Sequence, residues 1–539
     1  MPDEYTLTVL DTPGIQRYIF SSNRLRENVG ASHLVHLAST CWPMELLQKM
    51  GGSNVKEDLT LDKSLRIEED RLDAEVIYVG GGNLVVLFPE KTQAKDFVHA
   101  WSRKIITEAP GLTPAAIHWP YRWGESLSKA IDEAMKMLKQ ARQSNPPSAP
   151  LLGLGVTVEG GSTGKPAVAM SGNYGDPRDR PVSAEVAAKL GRVQEANERL
   201  RGFLHEEART YGYTFALDTD QLGRSKNEMS YLAIIHADGN GVGDYFRGIK
   251  QESSPREYIE KIREASRKVE QVAKQAQQNL LEQLLSIDPA TYDSWGIKLK
   301  DNNFPFRPLV FGGDDFTFIS DGRLGLTLAS RYLEFFEEAA EEYDLPLKAS
   351  AGIAIVKVHY PFARAYHLSE ALTASAKRYA RACGQGKKAV SAMDWHFAPS
   401  GLLGELNEIR EREYHTHAGW LLMRPILLRE TTKTWRTWPN FLRAVRHFKE
   451  EAQEHRNKVI ALRSALRDGK DAVRSFLATT REFSLPELQG TSPISQATGW
   501  NDSQTADCTE EHISRSPYFD AIEAIDFYQP LHEVEREEN

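Results

Sequence analysis

Residues Val310 to Ser320 read VFGGDDFTFIS, an apolar strand that meets two glycines and two aspartates and then resumes as an apolar strand. Taken alone it is a β-hairpin: Gly312 and Gly313 supply the positive φ angles of a tight turn, and Asp314 and Asp315 are solvated at its tip. A second version of the stretch lies upstream. Tyr78 to Phe88 read YVGGGNLVVLF, with Gly80 and Gly81 matching Gly312 and Gly313, but with Gly82 and Asn83 where the aspartates stand. One hairpin is charged and its twin is neutral.

The match extends outward. YTLTVLDTPGIQRYIF (5–20) lies on LAIIHADGNGVGDYF (232–246) so that Asp11, Gly14, Ile15 and Tyr18 fall on Asp238, Gly241, Val242 and Tyr245. Downstream, HWPY (118–121) parallels HYPF (359–362), each after a strand-like run and before an amphipathic helical stretch. Three matches in one order imply an internal repeat. Each unit reads strand, helix, strand, hairpin, strand, helix, strand, so the expected fold class is α+β, with two ferredoxin-like βαββαβ domains in tandem, helical insertions and a helical C-terminal domain. The expected boundaries are 1–150 for the first unit, 151–228 for a helical linker, 229–398 for the second unit and 399–539 for the C-terminal domain. Within that last domain NFLRAVRHFKEEAQEHRNKVIALRSALRDG is the clearest helical period, and the polar stretch 489–516 reads as a mobile loop.

At 539 residues and 41% hydrophobic content the chain buries a large core. A net charge of −9 argues against autonomous binding to a nucleic-acid backbone. The N-terminus has no basic and apolar leader pattern, and no apolar run is long enough to span a bilayer, so a cytoplasmic protein with no membrane partner is expected. Cys41, Cys383 and Cys508 are far apart with no CxxC pair, which excludes the usual zinc ribbon and predicts three reduced thiols.

In a ferredoxin-like sheet the first strand lies centrally, beside the strand leading into the hairpin, so Asp238 converges with Asp314 and Asp315. Three carboxylates at one sheet edge repel one another, and a divalent cation relieves that repulsion; hard oxygen donors suit two Mg²⁺ or Mn²⁺ ions bridging to phosphates. The loop DGNGVGDYF adds Gly239, Asn240, Gly241 and Gly243 as backbone for a triphosphate at the following helix N-terminus. Gly312 and Gly313 flank the same place. A nucleoside triphosphate site follows.

FGGDD, ADGNGVGDYF and SAGIAIVKVHYPFARAYHLSEALTASAKRYAR, with DTPGIQRYIFSSNRLRENVGAS and GGGN in the first unit, resemble the large subunit of type III CRISPR effector complexes, the Cas-ten family. The likeness covers about Tyr5 to Trp395. It implies two palm domains, the second catalytic through GGDD and the first metal-free, that convert ATP into cyclic oligoadenylates activating ancillary effectors. Carried over, Asp238, Asp314 and Asp315 bind metal and catalyse, Lys377 contacts phosphate, and Gly82 and Asn83 hold an acceptor nucleotide facing the donor. Effector subunits, with guide RNA indirectly, and a downstream cyclic-nucleotide sensor are the implied partners. Family members often begin with a His-Asp nuclease domain and carry a cysteine-ligated zinc element between the palms. The chain has no adjacent His-Asp pair and no cysteine in that element, so neither a DNase activity nor zinc is expected, and a reduced relative is, standing alone or within a ribonucleoprotein complex.

Smaller signals carry two readings each. Ser32 is a helix N-cap or a nucleotide ligand; His236, on the strand face of Asp238, touches the nucleotide or is a buried, hydrogen-bonded histidine; Asn240 reads a base edge or makes an Asx-turn. Lys387 and Lys388 read as surface charge, and the His-Glu pairs at His205 and His532 lack the second histidine of a zinc-protease helix. The leading function is a metal-dependent nucleotidyltransferase making cyclic or short linear oligonucleotides with release of pyrophosphate, in anti-phage defence. The alternatives are a non-catalytic scaffold subunit of a ribonucleoprotein and a symmetric diguanylate cyclase.

Overall fold

The computed structural model describes residues 4–80, 82–144, 155–206, 212–222, 230–249, 254–299, 302–385, 389–398, 404–480, 483–502, 507–508 and 513–531. Gly81, residues 145–150, Lys387, Lys388 and His532 lie outside them. The chain forms two compact units: Met1–Arg209 with Gly243–Gln271, and Thr210–Val242 with Val272–Asn539.

The first unit contains β1 (Tyr5–Asp11), β2 (Glu75–Gly80), β3 (Asn83–Phe88) and β4 (Ala115–Tyr121), in the antiparallel order β2-β3-β1-β4. All seven residues of β1 are buried, so the central strand must be covered on both faces. Among the helices α1 (Leu25–His36), α2 (Lys91–Glu108) and α3 (Leu127–Ser144), α2 buries Ala94, Phe97, Trp101 and Ile105 at helical spacing. Tyr5, Leu7 and Val9 of β1 share a core with Leu127, Ile131, Ala134 and Leu138 of α3 and with Tyr258, Ile259 and Ile262.

The second unit contains β5 (Tyr231–Asn240), β6 (Phe306–Val310), β7 (Asp315–Asp321) and β8 (Lys348–Lys357), in the order β6-β7-β5-β8. Position for position, this is the order of the first sheet. The repeat is thus a tandem of ferredoxin-like palm folds within an α+β chain. Even an irregularity recurs: a register shift between Val76 and Tyr78 leaves Ile77 unpaired, and one between Pro308 and Val310 leaves Leu309 unpaired. With Gly80 laid on Gly312, these two bulge residues coincide. Gly14 and Gly241, aligned on the sequence, both follow their strand at positive φ, 77° and 85°.

The helix α4 (Pro255–Leu285) begins in the first unit and ends in the second; α5 (Gly325–Glu342) and α6 (Phe362–Gly384) pack on the second sheet. The parallel strand β9 (Ala392–Ala398) then joins β8, and β10 (Ile426–Leu427) joins β9, extending this sheet beyond the repeat to six strands.

Several sequence expectations are corrected. HWPY lies inside β4, where His118 pairs with Thr8, whereas HYPF follows β8 and leads into α6, so the two tetrapeptides are not equivalent positions. The strand beside β5 is β7, which leaves the hairpin, and not β6, which enters it. Helix α7 (Trp438–Asp468) is interrupted at His455, with φ −135° and ψ 42°, so the long period is two helical stretches. The polar stretch 489–516 is not a free loop in its described part: Ser495, Thr498, Trp500 and Asn501 are buried. Cys383 and Cys508 are joined in a disulfide, with Cα atoms 4.8 Å apart, and Cys41 alone is free. Their separation of 125 positions hides that adjacency, which arises because Asp507 is drawn to Tyr379 of α6 and to Arg436 at 3.0–3.1 Å.

Candidate active site

Asp238, near the end of β5, and Asp315, the first residue of β7, are direct antiparallel partners. The side chains of a pair in register share a sheet face, so two carboxylates stand together. Ser350 of β8 is the partner of Asp238 on its other side.

Helix α6 brings a cation to this pair. It lies close because β8 carries Gly352, where a Cβ would come within 2.2 Å of the Ser369 carbonyl oxygen and 2.3 Å of the Thr373 nitrogen. Thr373 Oγ1 donates to the His236 carbonyl at 2.8 Å. One helical turn later, Lys377 Nζ donates to the Asp238 carboxylate and, at 3.1 Å, to the Gly239 carbonyl. Four helical residues rise about 6 Å and two strand residues span about 7 Å, so Thr373 over His236 sets Lys377 over Asp238.

Asp314 completes the group. A Cβ on Gly239 would lie 3.9 Å from Asp314 Oδ2, which puts this carboxylate over the residue that follows Asp238. Burial, then the charges of Asp238 and Asp315, push the Asp314 carboxyl up to about 6 against partial relief from Lys377. His236 is buried, with Nδ1 3.1 Å from both Asp315 Oδ1 and Thr317 Oγ1. Burial disfavours its charged form, but Asp315 and then Asp238 outweigh this and hold the imidazole above its ordinary range.

Among the described residues no group of three or more His, Cys, Asp or Glu side chains is gathered tightly enough to hold a metal ion on its own. The chemistry of the donors nevertheless fits one: they are hard carboxylate oxygens, and a divalent cation would relieve both the burial and the mutual repulsion that raise the Asp314 carboxyl.

The second unit therefore brings together Asp238, Gly239, Gly312, Gly313, Asp314, Asp315 and Lys377. Gly239 and Asn240 continue the ladder of β5, opposite Ala349 and Lys348, and the turn begins only at Gly241. Asn240 Nδ2 donates to Ser350 Oγ at 2.8 Å and to the Val390 carbonyl at 2.9 Å, which ties its amide nitrogen into the sheet. Gly243 belongs to the first unit. Ser32 is buried in the middle of α1, so it is not an N-cap. Of the two hairpin glycines only Gly312 has positive φ, 97°.

In the first unit Asp11 is paired in register with Asn83, and its carboxylate forms an ion pair with Arg142 of α3. Burial raises the Asp11 carboxyl and Arg142 opposes that shift. Neither Arg142 nor Gln277, whose amide bonds the second hairpin, was expected from the sequence. A signal for Arg142 existed: it follows the first residue of its helix, Leu127, by fifteen positions, as Lys377 follows Phe362.

Residues 231–383 match the family model described as Cas10/Cmr2, second palm domain. Among curated proteins none matches the chain. Among solved structures, the Csm1–Csm4 cassette in complex with pppApApA is similar at 13% identity and a TM-score of 0.50, covering 97% of this chain and 70% of that one. The cassette in complex with cA4 is similar at 16% identity and a TM-score of 0.41, and the Csm1 of T.onnurineus at 13% and 0.44, covering 72% and 92% of this chain. This chain spans 54% of the length of the former and 66% of the latter. The chain is therefore Cas10-like, with residues 231–383 matching the second palm domain of that family on a fold it shares with Csm1.

Proposed function

We propose that the protein is a metal-dependent nucleotidyltransferase that joins nucleoside triphosphates, ATP in the first place, into cyclic or short linear oligonucleotides for anti-phage signalling. The observation that carries this reading is the asymmetry of the repeat: Asp238, Asp314, Asp315 and Lys377 gather in one palm, while the same positions of the other hold Asp11, Gly82, Asn83 and Arg142. A purely structural duplication has no reason to keep carboxylates in only one copy where burial, and then their mutual repulsion, lift Asp314 to about 6.

Asp238, Asp314 and Asp315 would hold Mg²⁺ or Mn²⁺, which would neutralise phosphate charge and favour ionisation of the attacking hydroxyl. The reaction forms a bond from the 3′-hydroxyl oxygen of one nucleotide to the α-phosphorus of the next; the hydroxyl proton passes to water, and pyrophosphate leaves with the electrons of the broken P–O bond. Lys377 shares Asp238 in the free protein and turns toward phosphate oxygens when nucleotide arrives. Thr373 and Gly352 fix its helix. The neutral hairpin at Gly82 and Asn83 serves the acceptor nucleotide, so Asn83→Ala should change product length while the chemistry persists.

The pairing of Lys377 with Asp238 also favours a second reading, in which the ammonium permanently replaces the cation and the chain is a scaffold subunit. Csm1 is solved as a cassette with Csm4, and an analogous subunit partner for this chain suits either reading. Incubation with each of the four triphosphates and Mn²⁺, followed by mass spectrometry, separates them: an oligoadenylate with stoichiometric pyrophosphate supports the transferase, and four unchanged triphosphates would leave the scaffold.

A further inference from the structure

The twin hairpins differ in how they are closed. In the first, the ladder runs to the tip and pairs Gly80 with Asn83. In the second, it stops at Val310 and Thr317, so the backbone of the aligned residues, Gly312 to Asp315, has left its partner. The backbone groups released there are met by one side chain. Gln277 of α4, wholly buried, accepts from the Gly312 N–H through Oε1 at 2.8 Å and donates from Nε2 to the Gly313 carbonyl at 2.9 Å. A primary amide presents a C=O and an N–H side by side, as a peptide group does, so Gln277 supplies the strand edge that the open hairpin lacks.

We propose that Gln277 is a positioning residue, which holds the tip open and aims the Asp314 and Asp315 carboxylates at Asp238. This rests on the nucleotidyltransferase reading and adds to it a determinant 35 positions before the hairpin. A fully paired tip like the first unit's would draw residue 314 into a tight turn; the first unit has Gly82 there at φ 76°, a region costly for aspartate. Opening the hairpin lets a carboxylate stand at that position, and the amide clamp fixes where it stands. Glutamine suits the task because it is neutral: an acidic side chain would add to the repulsion among three carboxylates, and a basic one would compete with the cation.

The test compares the wild type with Gln277→Met, Gln277→Asn and a control, Gln275→Met, on the same helix, where Gln275 donates to Glu342 at 2.6 Å. Methionine keeps the length and loses both hydrogen bonds; asparagine keeps the amide but is too short to span Gly312 and Gly313, and decides the matter should the methionine variant not fold. ATP turnover with Mn²⁺ is measured together with Mn²⁺ affinity by titration of the free-ion electron paramagnetic resonance signal. Both Gln277 variants should lower kcat by about 10- to 100-fold with KM for ATP within about threefold, and weaken Mn²⁺ by about 10-fold, while Gln275→Met matches the wild type. Wild-type kcat and Mn²⁺ affinity in either folded Gln277 variant would overturn the proposal, as would an equal loss in the control. A wild type that binds Mn²⁺ but makes no product overturns the transferase reading; the clamp then stands or falls on the Mn²⁺ titration alone.

Discussion

Asn83 is the first palm's counterpart of Asp315: each is the cross-strand partner of the aspartate near the end of its unit's opening strand, Asp11 in one and Asp238 in the other. The helix after the last palm strand answers each aspartate with a cation at the same helical position, Arg142 in one unit and Lys377 in the other. The duplicated frame is intact, and what separates the copies is charge: one carboxylate against one guanidinium, or three carboxylates against one ammonium.

Restoring a carboxylate to the first palm should therefore not restore a metal site. In Asn83→Asp the new side chain joins Asp11, but Arg142 already answers that charge, and Gly82 still supplies no third donor. The number of Mn²⁺ ions bound per chain, measured by equilibrium dialysis, should stay at the wild-type value. An extra ion in Asn83→Asp alone would show that Arg142 does not govern the site.

Asp314 should destabilise the metal-free protein at neutral pH. Its folded carboxyl, at about 6, lies above the value of 3.8 for a free side chain, so the folded state binds more protons between those limits and stability falls as pH rises through the window. The penalty at pH 7.5 is about 1–3 kcal/mol after allowance for partial solvent access. Asp314→Asn should raise the unfolding temperature at pH 7.5 by about 1–3 °C and leave it almost unchanged at pH 4, as read by scanning calorimetry without divalent ions. An equal shift at both pH values would point to packing instead of charge.

The fold was legible because a repeat carries its own check: two hairpins, two opening strands and their order could be laid on each other, and the coincidence of bulges at Ile77 and Leu309 follows that alignment. Asp238, Asp314 and Asp315 could be chosen because two matching hairpins differ in charge, whereas Lys377, one lysine of a helix, was legible only through the family resemblance. Gln277 was hidden because a buried amide 35 positions away leaves no local pattern. Asn240 misled for the opposite reason: a polar residue among glycines looks like a loop, yet cross-strand bonding to Ser350 keeps it in the sheet. The Cys383–Cys508 bond depends on where a distant segment returns, which spacing does not report.

Gly352 should tolerate no side chain. A methyl group would meet the backbone of α6 at 2.2–2.3 Å, and a helix backbone cannot step aside as a side-chain end can. Gly352→Ala should cost about 2–4 kcal/mol by urea unfolding, or move α6 and with it Lys377. A loss below about 0.5 kcal/mol with wild-type turnover would mean that α6 is not held as closely as Thr373 and Ser369 indicate.

Replacing Asp314 and Asp315 together by alanine should abolish pyrophosphate release from ATP and leave the far-ultraviolet circular dichroism unchanged, because Asp314 at the hairpin tip and Asp315 at the start of β7 are only half-buried. Undiminished release would place the chemistry elsewhere.

The asymmetry itself is tested most directly by anomalous diffraction from crystals soaked with Mn²⁺ and a non-hydrolysable ATP analogue. Strong manganese peaks beside Asp238, Asp314 and Asp315, with none beside Asp11, Gly82 and Asn83, are the expected result. Equal peaks at both hairpins would contradict the division into one catalytic and one metal-free palm, and a symmetric two-site cyclase would take its place.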